Sequence, residues 1–175
     1  MKTQCPTCKE VMDVEETQKD QNVTCAFCGN EFKAKAYESQ EEKYNKAVTN
    51  LWIAVGLSIV NLILNLAGSS WNFAFSLWGS ELLCEFGKLG VVFAIILLIV
   101  YGILAFLAKE NKGTFIAAFV LVCIDTLVGG FVYIMALMGG DASDLIVSAV
   151  IGFVFHGWLL WEMGKGLGAN NKISE

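Results

Sequence analysis

Apolar and polar positions divide this chain of 175 residues into a polar N-terminal region and a long apolar remainder. Beyond residue 46, apolar residues run almost without interruption through residues 47–67, 89–108, 114–138 and 145–163. Each stretch is close to the roughly 20 residues that a helix needs to cross the hydrocarbon core of a bilayer. Four such helices, apolar on every side, would have nothing soluble to cover them. The pattern predicts a mainly α-helical membrane protein with a four-helix transmembrane bundle over residues 47–163.

The segment between the first two apolar stretches has a two-faced pattern instead. Its large apolar residues recur at helical spacing, and they are Trp71, Phe75, Trp78, Leu82 and Phe86. Its polar residues fall elsewhere on the helical wheel. We therefore expect an interfacial amphipathic helix over about residues 70–87, because a strongly two-faced segment suits a membrane surface. The alternative is a re-entrant element, which would suggest a pore.

Two cysteine pairs punctuate the polar region, Cys5-Pro-Thr-Cys8 and Cys25-Ala-Phe-Cys28-Gly29. Two residues between thiols let a tight turn present both sulfurs to one ion, and the amides of that turn stabilise the thiolates. Between and after the pairs, residues 11–14, 22–24 and 31–33 have the pattern of short strands. The spacing predicts a four-cysteine metal site.

Residues 3–36 resemble the zinc-ribbon family, whose pattern is CPxC, a β-hairpin and then CxxCG with a nearby aromatic, here Phe32. The resemblance implies a β zinc ribbon at residues 1–36 with a structural Zn²⁺ held by Cys5, Cys8, Cys25 and Cys28. Iron in a rubredoxin-like site is the alternative. Four protein ligands leave no open position for water, so we expect no catalysis at this metal. A region this small should unfold when the metal is lost.

Residues 37–46 connect the cysteine region to the first apolar stretch. Ser39 and Glu42 have the spacing of a capping box, which predicts a helix that starts near residue 39 and continues into the first span. A solvated charged linker is the alternative. Residues 164–175, after the fourth apolar stretch, are expected to form a cytoplasmic tail.

The lysines predict the orientation of the spans. Of the 12 basic residues, all lysine, seven precede the first span. Lys109 and Lys112 lie between spans two and three, Lys165 and Lys172 follow span four, and Lys88 is the exception. The positive-inside rule then places both termini in the cytoplasm, for a multi-pass protein of the cell (inner) membrane. The polar region has no apolar signal-peptide segment, and a reducing cytosol favours metal binding by its cysteines.

Ionisable and polar residues inside the predicted spans are the other candidates for function. Asp125 lies near the middle of span three, where a carboxylate needs a partner or a proton. The single histidine, His156, lies inside span four, and Tyr101 and Ser58 have similar predicted depths. One polar cluster drawn from all four spans is therefore geometrically possible. It is either a proton- or ion-responsive site or a structural hydrogen bond that fixes helix packing.

The sequence contains no nucleophile–base pair or cofactor fingerprint, so we expect no enzymatic activity. We expect a membrane protein whose zinc ribbon is an adaptor for a protein partner, and the chain resembles bacterial zinc-ribbon proteins with small hydrophobic bundles of unknown role. The alternative is a small transporter or channel, as a homo-oligomer, that uses Asp125 and His156. An intramembrane enzyme with this pair as acid and base ranks last. Nucleic-acid binding is not expected, because the net charge is -5.

Overall fold

The structure is a computed structural model, and it describes residues 1–69, 76–139 and 143–173. The chain divides into two compact units, Met1–Glu42 and Lys43–Glu175. We call the first unit the head and the second the body. Each is described below on its own.

The head consists of two antiparallel hairpins. Strand β1 (Lys2–Gln4) pairs with β2 (Val11–Asp13), and β3 (Asn22–Thr24) pairs with β4 (Glu31–Lys33). A 3₁₀ turn at Glu16–Gln18 lies between the hairpins. The strands predicted at residues 22–24 and 31–33 are confirmed, and β2 covers most of the strand predicted at 11–14. Each hairpin turn contains one cysteine pair, so the strands position the sulfurs.

The interior of the head is very small. Its fully or nearly buried side chains are Thr3, Cys5, Val23, Cys25 and Ala34. Two of these five are cysteines, and none is a large aliphatic or aromatic residue. Since apolar burial of this extent contributes little to folding, most of the head's stability must come from another source.

Helix α1 (Gln40–Leu66) begins with the predicted capping box and continues without a break through the first apolar stretch. The backbone N–H of Glu42 donates to Ser39 Oγ over 3.0 Å, and the backbone N–H of Ser39 donates to Glu42 Oε2 over 2.7 Å. The reciprocal bonds satisfy amides that the first helical turn would otherwise leave unpaired. The helical reading of the connector is therefore confirmed.

The other long helices of the body are α3 (Gly87–Leu107), α4 (Lys112–Met138) and α5 (Ser143–Ile173). Asn111 caps α4 by accepting a hydrogen bond from the backbone N–H of Thr114. With α1, these helices confirm that the described chain has four helices long and apolar enough to cross a membrane. Helix α5 extends through most of the residues that the sequence assigned to a tail.

The body exposes large apolar side chains to its surroundings. Phe106, Leu127 and Met138 are 66%, 72% and 78% exposed. Its interior combines large apolar side chains such as Phe115 and Leu159 with alanines, and those at positions 47, 54, 94, 105 and 118 are completely buried. Exposed apolar faces of this extent are unstable in water.

The predicted helix over residues 70–87 is wrong in its extent. Helix α2 spans only Trp78–Cys84, and residues 70–75 lie outside the described residues. Ser76, Leu77 and Trp78 are buried rather than spread along a surface. The periodicity was misleading because it cannot distinguish a face that meets lipid from one that meets other helices.

The turn between α2 and α3 is tight and depends on glycine. Gly87 has a φ of 67°, which is a left-handed conformation that favours glycine. A Cβ on Gly90 would collide with the backbone carbonyl of Leu83. These two glycines let α2 fold back closely onto the start of α3, so α2 is held against the body.

Candidate functional sites

The two cysteine pairs of the head lie in equivalent turns. The backbone N–H of Lys9 donates to the carbonyl of Cys5, and that of Gly29 donates to the carbonyl of Cys25. Lys9 and Gly29 both have positive φ, at 65° and 74°. This conformation favours glycine, which the second knuckle has at residue 29, whereas a lysine takes the equivalent position in the first knuckle.

The four sulfurs form one compact group. Cys5 Sγ and Cys28 Sγ are 3.7 Å apart, and Cys8 Sγ and Cys25 Sγ are 3.6 Å apart. All four sulfurs lie within 4.8 Å of one another. A tetrahedron with Zn–S bonds of about 2.3 Å has S···S edges of roughly 3.8 Å, so the group can hold a metal ion in a tetrahedral thiolate shell.

Backbone N–H groups of the knuckles donate to the sulfurs, as the sequence indicated, and they favour the thiolate form most clearly at Cys5. The pKa of the Cys5 thiol is lowered to about 6, chiefly because the backbone N–H of Cys8 donates to its sulfur. The pKa values of Cys8 and Cys28 are raised, because burial and neighbouring sulfurs outweigh the backbone N–H groups that donate to them. A thiolate is the form that binds a metal. Cys84 and Cys123, which the sequence does not assign to a metal, lie in the body and outside this group.

The carboxylate of Asp125, on α4, binds the start of α2. Its Oδ2 accepts from the backbone N–H of Trp78 over 3.0 Å, and its Oδ1 accepts from that of Gly79 over 2.7 Å. The first amides of a helix have no partner within the helix, and a negative charge there is favoured by the helix dipole. Asp125 therefore caps a short helix that lies far away in sequence.

Ser58, on α1, completes this cap. Its Oγ accepts from the backbone N–H of Leu77 over 2.8 Å and donates to the carbonyl of Ala54 over 2.8 Å. Three consecutive amides, from Leu77 to Gly79, thus bond to side chains of α1 and α4. Ser58 is one of the predicted cluster residues, and its partner is the backbone of α2 rather than another predicted residue.

His156 and Asp125 are in direct contact, as the sequence made geometrically possible. His156 Nε2 is 3.3 Å from Asp125 Oδ2, and its Nδ1 is 3.0 Å from the carbonyl oxygen of Gly152. The carbonyl can only accept, so Nδ1 carries a proton. A proton must also lie between Nε2 and Oδ2, on one atom or the other. The pair is then either imidazolium with carboxylate or two neutral groups, and in both forms its net charge is zero.

The Trp78 indole fills a socket that α4 and α5 leave open. It stacks on the His156 ring with centroids 4.1 Å apart. A Cβ on Gly129 would be 2.7 Å from Trp78 Cε3, and a Cβ on Gly152 would be 2.6 Å from Trp78 Cζ2. The sequence suggests that glycines at 129 and 152 allow close helix approach, and in the structure they make room for an aromatic ring from α2.

Glu81, on α2, extends the polar cluster and was not among the predicted site residues. Its Oε1 accepts from Asn61 Nδ2 over 2.5 Å and from the Ser76 hydroxyl. The available signal was that Asn61 lies in an apolar span and must find a partner. Its partner could not be identified, because Glu81 was placed on the polar face of a surface helix.

Tyr101, on α3, is fully buried, and its hydroxyl has no hydrogen-bond partner among the described residues. Of the four predicted cluster residues, the structure thus joins Asp125 and His156 directly. It links Ser58 to them through the start of α2, and it places Tyr101 in the apolar core of the body.

Comparisons of this chain with models of known families, with characterised proteins and with solved structures give no match.

Proposed function

We propose that this chain is an integral membrane protein whose helices α1, α3, α4 and α5 each cross the bilayer. The observation that carries this proposal is the apolar outer surface of four helices of membrane length. Large apolar side chains are exposed along the long helices, while alanines and hydrogen-bonded polar residues lie inside beside the large apolar residues of the core. Lipid favours the exposed apolar surface, and small residues allow the helices to pack closely.

We further propose that both termini are cytoplasmic, in the inner membrane of the cell. Lys109 and Lys112 at the junction of α3 and α4, and Lys46 and Lys165 near the corresponding ends of α1 and α5, support this orientation. Glu162 holds the last two together, at 3.9 Å from Lys46 and 2.7 Å from Lys165. Single cysteines introduced at positions 110 and 69 would test the orientation. In intact cells a membrane-impermeant thiol reagent should label position 69, and it should label position 110 only after the cells are permeabilised.

The metal of the head is proposed to be a structural Zn²⁺. Four sulfurs at tetrahedral spacing are typical of zinc, and they leave no position for a reacting water. The ion would replace the core that the head lacks. Metal analysis of protein purified without added metal would test its identity, and a rubredoxin-like iron would appear as a visible absorption band.

The function we propose is non-enzymatic: the metal-bound head is an adaptor that binds a protein partner in the cytoplasm. The observation that supports it is Phe27, which lies in the second knuckle and is 63% exposed. It is the one large apolar side chain of residues 1–42 that is exposed. A rigid turn that presents an aromatic side chain to water is suited to a pocket on a partner, because aromatic residues often dominate interface energy.

Recovery of partners from native membranes would test the adaptor function. We expect Cys25→Ser/Cys28→Ser to lose the partners of the intact protein, and Phe27→Ser to lose them while zinc remains bound. Ala26→Ser, at the adjacent exposed position, is the matched control and should retain them. Recovery of the same proteins with all variants would remove the basis of the adaptor proposal.

A small oligomeric transporter or channel is the second candidate. The observation that favours it is the buried contact between Asp125 and His156, two ionisable groups 3.3 Å apart inside the body. Liposome flux assays across a pH gradient would test it. Flux that depends on pH in the wild type and is lost in Asp125→Asn would support this candidate, and a sealed wild-type protein would exclude it.

A further inference from the structure

A groove between α2 and α4 has the size and lining of a small-molecule site. Its volume is about 350 Å³. This is within the range of roughly 300–1,000 Å³ that ligand pockets occupy. The groove is lined by Trp78, Glu81, Leu82, Glu85, Gly129, Val132, Tyr133 and Ala136. Most of this lining is apolar or aromatic, and its charged groups are two carboxylates.

The two carboxylates, Glu81 and Glu85, are one helical turn apart. Neither forms an ion pair within the described residues. Like charges at this spacing repel one another, and the repulsion is stronger where apolar surface excludes water. A cation between them would relieve it.

Glu81 is fixed in position. Within the described residues its hydrogen bonds, from Asn61 and Ser76, all go to Oε1, so Oε2 is left for a ligand. Glu85 is exposed at the edge of the groove. One carboxylate is therefore preorganised inside the groove, and the other can close over a ligand from the rim.

The aromatic and apolar walls restrict the class of cation. The ring of Tyr133 is tilted by 43° against that of Trp78, with centroids 5.1 Å apart, and Trp78 is buried. The aromatic face of Tyr133 attracts ammonium groups, and it offers nothing to a metal ion that requires six or more oxygen ligands. Leu82, Val132 and Ala136 add apolar surface for carbon substituents.

We propose that this groove binds an organic ammonium cation with apolar substituents. The charged nitrogen lies between Glu81 and Glu85 beside the Tyr133 ring, and the carbon chains lie along Leu82 and Val132. The site is independent of the proposed adaptor function, because it involves no residue of the head. The cation is either a soluble alkylammonium or the amine headgroup of a lipid, since both present the same chemistry.

Calorimetric titration of the full-length protein in a non-ionic detergent, with tetrapropylammonium as the probe, would test this site. We expect saturable binding of one cation per chain. Glu85→Gln should weaken binding about tenfold, because one of the two negative charges that attract the cation in a partly dry site is lost. Val132→Trp, which fills the groove but retains both carboxylates, should abolish binding.

Matched controls separate the site from general charge effects and from misfolding. Glu110→Gln removes one exposed acid at the opposite end of α3 and should leave the affinity unchanged. Each variant should keep the wild-type helical circular dichroism. Absence of saturable binding by the wild type, or equal weakening in Glu85→Gln and Glu110→Gln, would overturn the proposal.

Competition by lipid then identifies the source of the cation. If added phosphatidylethanolamine displaces the probe and phosphatidylglycerol does not, the site takes a lipid amine. If neither lipid displaces a probe that binds saturably, the site takes a soluble alkylammonium. Displacement by both lipids alike would show that the acyl chains, and not the ammonium group, occupy the groove, and it would contradict the proposal.

Discussion

The head and the body differ in how they use polar groups. In the head, half-exposed hairpins surround four sulfurs, and the buried side chains around them are few and small. In the body, two carboxylates, an imidazole, two carboxamides and several hydroxyls are buried among long apolar helices. The head concentrates its polar atoms on one point that an ion can occupy, whereas the body distributes them as hydrogen bonds between elements.

This difference shows what limits folding in each unit. The head has too little apolar burial to fold without a strong external ligand. The body has abundant apolar surface, but lipid is as apolar as its side chains and does not select one helix arrangement. In the body, directional contacts such as the Asp125 cap must therefore determine the packing. The predictions below test this division.

Removal of the metal should have the largest effect, and it should be confined to the head. Structural zinc sites have apparent binding free energies of about 10–16 kcal/mol, far more than the small interior of the head can replace. We expect a strong chelator, or Cys25→Ser/Cys28→Ser, to unfold residues 1–36. Their amide NMR signals should then lose their dispersion and move to the narrow chemical-shift range of an unfolded chain. Cys84→Ser/Cys123→Ser, in the body, should retain the metal. Loss of helical circular dichroism upon chelation would break the comparison.

Asp125→Asn should lower the stability of the body more than the other single substitutions proposed for it. An asparagine offers only one acceptor oxygen for the two backbone amides. Its NH₂ group would face the N–H of Trp78 or Gly79, and two donors repel each other. We therefore expect the body to lose about 3 kcal/mol of stability. Unfolding in mixed micelles would measure it. Thr126→Val is the control, because Thr126 bonds only to the Val122 carbonyl of its own helix and should change stability little. Equal effects of the two substitutions would contradict the capping role.

Gly152→Ala should destabilise the body by about 1–3 kcal/mol, because the new Cβ would overpack the Trp78 indole. Trp78→Phe removes the atoms that collide, so the double variant should recover part of the loss in the same unfolding measurement. Gly157→Ala is the control, since a Cβ there meets nothing within 4 Å. No coupling between positions 78 and 152 would show that the socket does not hold the ring tightly.

The two knuckles should respond unequally to the same kind of change. Gly29→Ala places a side chain at a φ of 74° and should weaken the metal-bound head by about 1 kcal/mol. Lys9→Gly, in the equivalent turn, relieves strain but increases the flexibility of the unfolded chain, and should remain within about 0.5 kcal/mol of the wild type. Zinc competition against a chromogenic chelator would measure both. A larger loss in Lys9→Gly would imply that its side chain has a role of its own.

The smallest expected effect is a pH dependence at the start of α1. The pKa of Glu42 is lowered, chiefly because its carboxylate accepts from the backbone N–H of Ser39. The stabilisation is therefore complete above the ordinary carboxyl pKa of about 4.3 and is lost as the pH falls through the lower folded value. Hydrogen exchange of the first-turn amides of α1, taken relative to the intrinsic exchange rate at each pH, should accelerate over that range. Glu42→Gln should remove the acceleration, and its persistence in that variant would assign it to another group.

Patterns along the chain were sufficient for the local structure. The lengths of the apolar stretches gave four membrane-length helices, because a helix that must satisfy its own backbone in an apolar surrounding has a fixed rise per residue. Ser39 and Glu42 gave the start of α1, since a capping box acts over three residues. The cysteine spacing gave the group of four sulfurs, because each pair is closed by a local turn.

The path of residues 76–86 could not be obtained in this way. A two-faced segment has the same periodicity whether its apolar side meets lipid or a socket of glycines, so Trp78 gave no indication that it is buried. The fixed part of the groove depends on Glu81, whose two partners, Asn61 and Ser76, lie in different elements. Contacts of this kind join elements that are distant in sequence, and no local pattern encodes them.

The sequence by itself determined the elements of this protein: the hairpin knuckles, the capped first helix and the apolar lengths of the rest. Each of these depends on interactions within a few residues or on the exclusion of water from a helix. Only the tertiary structure decided which partners the buried polar groups take, including the use of Asp125 to cap α2 and the contact of His156 with Asp125. The physical reason is that a buried charge is stable only beside specific complementary groups, and their positions follow from how all the helices pack together.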